Sequence, residues 1–253
     1  MTTAMRENYT LPRLYLDQAL SRGAEIDLPK EQAHYLVTVI RKSNGDQVRV
    51  FNGEYGEWQA EITAATKRAV TLTIGKQLRS PKASPDVTLY FAPVRKHRTA
   101  FIIEKATELG VRKMQPVITA RTQFPKLNLD KAKAQAIEAA EQTERLDVPD
   151  ILPPVKLDAA WLNNVSDCSL IFADEAGDCG TAMEVLQNLR GAAAILPAAI
   201  LVGPEGGFTD AERGLLRSQD FVRPVSLGPR ILRADTAALS LLTLWQAVCG
   251  DWE

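Results

Sequence analysis

One stretch near the C-terminus constrains this chain more than any other: Leu201-Val202-Gly203-Pro204-Glu205-Gly206-Gly207-Phe208-Thr209. An apolar run of strand length, Ala198 to Val202, stops abruptly at glycines and a proline. Thr209 to Glu212 then carries the Thr-x-x-Glu pattern of a capping-box helix start. The unit reads as strand, glycine loop, helix. Glycine has no Cβ, so such a loop lets backbone N–H groups approach a ligand and tolerates positive φ. It also serves as a plain tight connection. An echo, Leu227-Gly228-Pro229-Arg230-Ile231-Leu232-Arg233, tips the balance. Two strand-to-glycine-proline turns in one short segment put both loops at the same end of a parallel sheet, where α/β proteins hold their ligands.

The glycine spacing excludes the common nucleotide folds. No Gly-x-Gly pair occurs in the chain, so the dinucleotide fingerprint, the kinase loop and the usual methyltransferase glycine motif are absent. Gly75-Lys76 lacks the upstream glycine and following Ser or Thr of a phosphate-cradling loop.

Before these loops the sequence predicts two domains. From Leu28 to Ile40 the spacing of Ala33, Leu36, Val37 and Ile40 suits a helix, ended by the turn chemistry of Ser43-Asn44-Gly45-Asp46. The period then changes to two. Val48 and Val50 alternate with polar neighbours, Asn52-Gly53 signals a hairpin, and Trp58, Ala60, Ile62 and then Val70, Leu72, Ile74 continue the alternation. This predicts a small β-barrel over residues 1–80, with Trp58 in its core rather than serving as a stacking platform. Ser80 to Pro85 reads as a linker.

Residues 81–253 alternate strands and helices: a strand at Val87 to Ala92, a helix from Thr99 to Leu109, and a strand from Met114 to Ile118. A helix from Asp130 to Arg145, a strand at Leu170 to Ala173 and the two glycine-loop units follow. That order predicts a parallel α/β sheet.

Composition adds one constraint. The formal net charge is only −1, but residues 81–126 carry 9 Lys and Arg against 3 Asp and Glu. Arg95-Lys96-His97-Arg98, Arg112-Lys113, Arg121 and Lys126 supply that excess. Such a run is either a solvated face or a phosphate-binding surface, and guanidinium at loop ends suits phosphate bidentately. Cys168, Cys179 and Cys249 are too few and too scattered for a disulfide framework or a zinc site. The N-terminus lacks a signal-peptide core and no stretch reaches the ~18 apolar residues of a membrane span. The chain is therefore expected in the cytoplasm, without metal or membrane.

The blocks Gly203 to Phe208 and Leu227 to Arg233, together with Glu104-Lys105-Ala106-Thr107-Glu108-Leu109-Gly110-Val111 and Ala140-Glu141-Gln142-Thr143, resemble the RsmE family of ribosomal RNA methyltransferases, in the knotted SPOUT superfamily. The likeness extends over the barrel, which is similar to that family's PUA-like RNA-binding domain and includes Val39-Ile40-Arg41 before the turn. The resemblance implies an S-adenosylmethionine-dependent homodimer that methylates N3 of one uridine in 16S rRNA, within a small-subunit particle. It also implies a deep trefoil knot over residues 196–253, an exception to the rule that chains do not thread loops. Two departures stand out. The family often has Thr-Glu where this chain has Ala234-Asp235, and Gly where it has Glu144 before Arg145.

On this reading the donor is held by Leu201, Val202, Gly203, Glu205, Gly206, Gly207, Leu227, Gly228, Ile231 and Leu232. Arg233 and Arg230 are expected to stabilise charge on the uracil. Glu205 serves as base, as a counter-charge to the sulfonium, or only as a complement to the following helix N-terminus. Arg13, Arg41, Arg95, Lys96, Arg98, Arg121 and Arg145 form the expected RNA-contact set. Two other readings remain open: a SPOUT methyltransferase with another RNA target, and a noncatalytic RNA-binding ribosome-assembly factor.

Overall fold

A computed structural model of the protein describes residues 10–66, 69–176, 178–191 and 197–252. They belong to two compact units, one drawn from Met1–Ala83 with Ala140–Val148, the other from Ser84–Ala139 with Pro149–Glu253. The return of Ala140–Val148 to the first unit does not show in the sequence.

The first unit is a five-stranded sheet of β1 (Arg13–Tyr15), β2 (Glu25–Asp27), β3 (Gln47–Asn52), β4 (Gly56–Ala65) and β5 (Val70–Arg79), ordered β1-β3-β4-β5-β2. β1 runs parallel to β3 and the other pairs are antiparallel. The predicted alternation is what fills it: Val48, Val50, Ala60, Ile62, Val70, Leu72 and Ile74 are all buried in one cluster, and Trp58 packs against them half-buried. Among the described residues the hydrogen-bonded path is open between β1 and β2 rather than closed into a barrel.

The expected helix over 28–40 divides. α1 (Lys30–His34) continues as a π-helical turn, Tyr35–Val39, in which Ile40 N–H reaches back to Tyr35 O at 3.0 Å. The β-branched run Val37-Thr38-Val39 is a poor α former, and Arg41 at φ +57 ends the turn.

A buried ion cluster lies in this unit, and it corrects two of the RNA assignments. Arg13 is 6% exposed. Its Nε donates to Glu57 at 2.6 Å, Nη1 to the Ala140 carbonyl at 2.5 Å, Nη2 to the Arg145 carbonyl, and its guanidinium lies 3.6 Å from the Phe51 ring centroid. Arg145 is likewise sequestered, with Nε on Asp147 at 2.8 Å. Arg13 is structural because its donors are used inside the unit, and the Arg145 side chain is only 7% exposed. Glu57 also accepts from Arg79 at 2.7 Å, and Glu144 accepts from Arg49 through both carboxylate oxygens at 2.7 Å. Of the expected first-unit contacts, Arg41 remains exposed.

The second unit is an all-parallel sheet. Its elements in chain order are β6 (Val87–Phe91), α2 (Lys96–Glu108), β7 (Lys113–Ile118), α3 (Leu129–Gln142), β8 (Asp150–Ile151), β9 (Val155–Lys156), α4 (Ala159–Asn164), β10 (Ser169–Ala173), α5 (Ala182–Arg190), β11 (Ala198–Val202), α6 (Asp210–Arg217), β12 (Val222–Val225) and α7 (Ala234–Val248). The order across the sheet is β12-β10-β11-β6-β7-β8, with β9 also pairing β7. Every residue of β11 is buried, as parallel strands covered on both faces require. The Thr209 capping box is present in full, Thr209 Oγ1 accepting from Glu212 N–H while the Glu212 carboxylate accepts from Thr209 N–H. The same device at Thr181 and Glu184 opens α5. In α7, Leu242 and Trp245 are core residues while Leu239 and Val248 are half-buried.

Candidate active site

β10, β11 and β12 run in the same direction and adjoin in the sheet, so their C-terminal ends share one edge. A cavity of about 210 Å³ opens there, bounded by Ala173 to Glu175, Val202 to Pro204 and Val225 to Leu232. The two glycine-proline turns thus meet at one site. Of the expected donor contacts, Val202, Gly203, Leu227, Gly228, Ile231 and Leu232 line it.

The rest lie elsewhere. Leu201 packs with Phe172 and Phe208 in the core, because alternate residues of a strand face opposite sides. Gly206 lies against the Arg121 side chain, and Gly207, at φ +65, lies against the Glu175 carboxylate. Both shape the loop rather than the cavity. Arg230 lines the cavity itself. The end of β10, with Asp174 and Glu175, escaped the sequence reading. Its only signal was an acidic pair following an apolar strand.

The glycines have separate reasons to be there. A Cβ on Gly203 would stand 2.6 Å from Cε2 of Phe208, so the missing side chain makes room for a buried ring while the residue also lines the cavity. Gly228 sits at φ +102 and an added Cβ would meet nothing within 4 Å. Its backbone therefore borders open space in a conformation that glycine alone adopts freely. Such a cradle suits a donor held by backbone groups of Leu227 to Leu232.

Asp174 braces the base of the site. Its side chain is fully buried and takes Arg213 at 3.0 Å and Arg217 at 2.7 Å, both from α6. Arg217 also pairs with Asp178, which holds that exposed carboxyl down at about 2. Arg121 secures the first loop by donating to the carbonyls of Gly206 at 2.7 Å and Phe208 at 3.3 Å. That guanidinium, expected on RNA, uses Nη1 to position the loop while the residue stays exposed.

A second cavity, about 470 Å³, is lined by Arg95, Arg98, Gln123, Phe124, Glu205 and Arg233. It adjoins the first along the chain: Pro204 lines one and Glu205 the other, Leu232 lines one and Arg233 the other. Arg95 and Lys96 are exposed, whereas Arg98 is held by Asp235 at 2.5 Å. The expected separation of RNA-binding arginines from reaction arginines therefore does not hold in space. Among the described residues no three His, Cys, Asp or Glu side chains gather as a metal site, and no helix is long and apolar enough to cross a membrane.

A family model of the RNA methyltransferase domain matches residues 81–246 and one of the RNA methyltransferase PUA domain matches 28–75. Fold and site thus define an RNA methyltransferase with a PUA domain ahead of its catalytic sheet. The chain is similar to the ribosomal RNA small subunit methyltransferase E of Rickettsia conorii, 32% identical over 91% of this chain and 93% of the relative. A Legionella pneumophila methyltransferase solved with S-adenosylmethionine is similar over 95% of this chain and 99% of its own, at 30% identity and a TM-score of 0.83. The Neisseria gonorrhoeae ribosomal RNA small subunit methyltransferase E, bound to S-adenosylmethionine, covers 96% and 100% at 28% identity and a TM-score of 0.79. The chain belongs to the ribosomal RNA small subunit methyltransferase E family.

Proposed function

We propose that the protein transfers a methyl group from S-adenosylmethionine to N3 of one uridine in 16S rRNA, as a cytoplasmic homodimer acting on a small-subunit particle. The observation that carries this reading is the adjacency of the two cavities, a glycine-lined cradle and an arginine-lined groove separated by single peptide steps at Pro204-Glu205 and Leu232-Arg233.

Bound in the cradle, S-adenosylmethionine supplies a methyl group on a sulfonium centre. Transfer forms the N3–carbon bond, breaks the sulfur–carbon bond and releases the N3 proton. N3 belongs to a weakly acidic imide, so the groove must accept that proton or stabilise the charge spread onto O2 and O4. Exposed Glu205 supplies an acceptor carboxylate, and Arg233 supplies planar donors for the oxygens. Arg230 lines the cradle, which supports a role in holding the donor rather than the base. Because N3 lies on the pairing edge, the uridine must enter unpaired. The trefoil knot over 196–253 belongs to the same reading. Pulling the chain from both ends should leave an unfolded length shorter than 253 residues of free chain allow.

The test is mass mapping of 16S rRNA from a strain lacking the gene, with and without its restoration, alongside calorimetric titration with S-adenosylmethionine. One methyl group lost from one uridine and regained on restoration is expected. An unchanged rRNA, a methyl group on ribose, or no donor binding would overturn the reading.

A further inference from the structure

A third cavity, about 770 Å³, lies in the second unit between the start of α2 and the start of α3. Its size is in the range of ordinary small-ligand sites. Buried Val94, Ile103 and Ala132 contribute an apolar floor, and exposed Lys96, Lys126 and Lys131 stand around it. None of these lysines is paired with a carboxylate among the described residues. Phe124 is 40% exposed and lines both this cavity and the groove of Arg95, Arg98, Glu205 and Arg233.

An apolar floor beside unpaired ammonium groups, with a partly exposed aromatic ring in its lining, matches one nucleotide of single-stranded RNA: a base to stack and phosphates to neutralise. The segment carrying Phe124 is tied both to the first glycine loop and to the helix that follows it. Arg121 donates to the Gly206 carbonyl at 2.7 Å, and the Ala120 N–H donates to Glu212 of α6 at 2.7 Å. A base stacked on Phe124 is thereby held at a fixed distance from the cradle. A flipped target needs such a neighbour, because unstacking a base leaves its backbone free to swing.

We propose that this cavity binds the unpaired nucleotide adjoining the methylated uridine, its base on the Phe124 ring and its phosphates on Lys96, Lys126 and Lys131. Phe124 is then a positioning residue for the substrate. The inference rests on the RNA-methylating reading above, and its test separates the two.

The full-length protein is given a short single-stranded RNA carrying 2-aminopurine beside the target uridine. Wild type should quench the fluorophore on binding. Phe124→Ala should lose most of that quenching and raise the RNA Kd about tenfold or more, as for a lost base–aromatic stack. Phe124→Trp should restore both. Changing Lys126 and Lys131 to Gln should lower the salt slope of binding by roughly one per lost phosphate contact. Phe124→Leu keeps apolar volume and decides the matter should the alanine variant fail to fold. S-adenosylmethionine affinity should stay unchanged throughout. Wild-type methylation with full quenching in Phe124→Ala and Phe124→Leu overturns the proposal while sparing the activity. So does a change of oligomeric state in these variants with RNA binding intact, which would mean that a second copy covers the cavity. A wild type that binds no RNA overturns both.

Discussion

Arg98 in the first turn of α2 and Asp235 in the first turn of α7 are joined by a 2.5 Å ion pair that ties the starts of two helices together beside the arginine-lined groove. The second carboxylate oxygen of Asp235 accepts from Thr236 N–H at 3.0 Å. The aspartate thus reaches Arg98 despite being a methylene shorter than the glutamate common in the family. With Asp235 only 8% exposed, Asp235→Asn leaves a guanidinium facing a neutral amide in a partly buried site. A loss of about 1–3 kcal/mol is expected from the missing charged partner. Urea unfolding should show a lower midpoint at constant slope, and an unshifted midpoint would mean that the pair adds nothing.

Arg233 and Arg95 line the same groove but should fail differently when removed. Arg233 follows the second glycine loop and sits at the N-cap of α7 with no side-chain cap bond, so on the proposed reading its guanidinium serves the uracil. Arg233→Ala should slow single-turnover methylation by about two to three orders of magnitude, as for a lost oxyanion donor, with donor affinity nearly intact. Lysine should rescue only in part, lacking the planar fork. Arg95→Ala should instead weaken RNA binding and flatten its salt dependence by about one unit. Normal turnover in Arg233→Ala at saturating RNA and donor would reverse the assignment.

The two loop glycines make a sharper pair. Gly203→Ala drives a Cβ into Phe208, which is 1% exposed, so the cost should appear as about 1–3 kcal/mol of stability through overpacking. Gly228→Ala meets no atom within 4 Å but imposes strain at φ +102. If the loop relaxes to relieve roughly 1–3 kcal/mol of it, the donor cradle changes shape. Donor Kd should then rise on the order of tenfold with little change in unfolding midpoint. Equal behaviour of the two variants in both measurements would refute the distinction.

What the chain disclosed in advance follows from where local chemistry decides. The Thr209-x-x-Glu212 box, the alternation of Val48, Val50, Ala60 and Ile62, and the paired glycine-proline turns are local signals, and the structure carries them as read. Thr181-x-x-Glu184 carries the same local pattern. Charge was the poor guide. Nothing local distinguishes Arg13, buried on Phe51 and Glu57, from exposed Arg95, because burial is decided by partners far along the chain. Glu144 shows the same limit. It occupies φ +60 where the family often has glycine, and its bonds to Arg49 and Arg79 offset the strain of that backbone.

The buried cluster around Glu57 should make the first unit's stability depend on acid. Glu57 is 2% exposed, and burial alone would raise its carboxyl, but hydrogen bonds from Arg79 and Arg13 and their charges bring it below its ordinary value of 4.5 on balance. A group depressed in the folded state stabilises it above the unfolded value. That contribution is fully present at neutral pH and is lost as pH falls below 4.5 through the folded value. Glu57→Gln removes the charge while leaving three guanidinium groups around the site, with Glu144 still pairing Arg49 and Arg79. At pH 7 the variant should be less stable by about 3–5 kcal/mol, the usual cost of stranding buried charge. The gap between wild type and variant should narrow as the buffer is taken below pH 4.5. Denaturant titrations of both proteins across that range provide the measurement. A gap that stays constant with pH would show that Glu57 is not ionised in the folded unit, and that the three arginines are balanced in some other way.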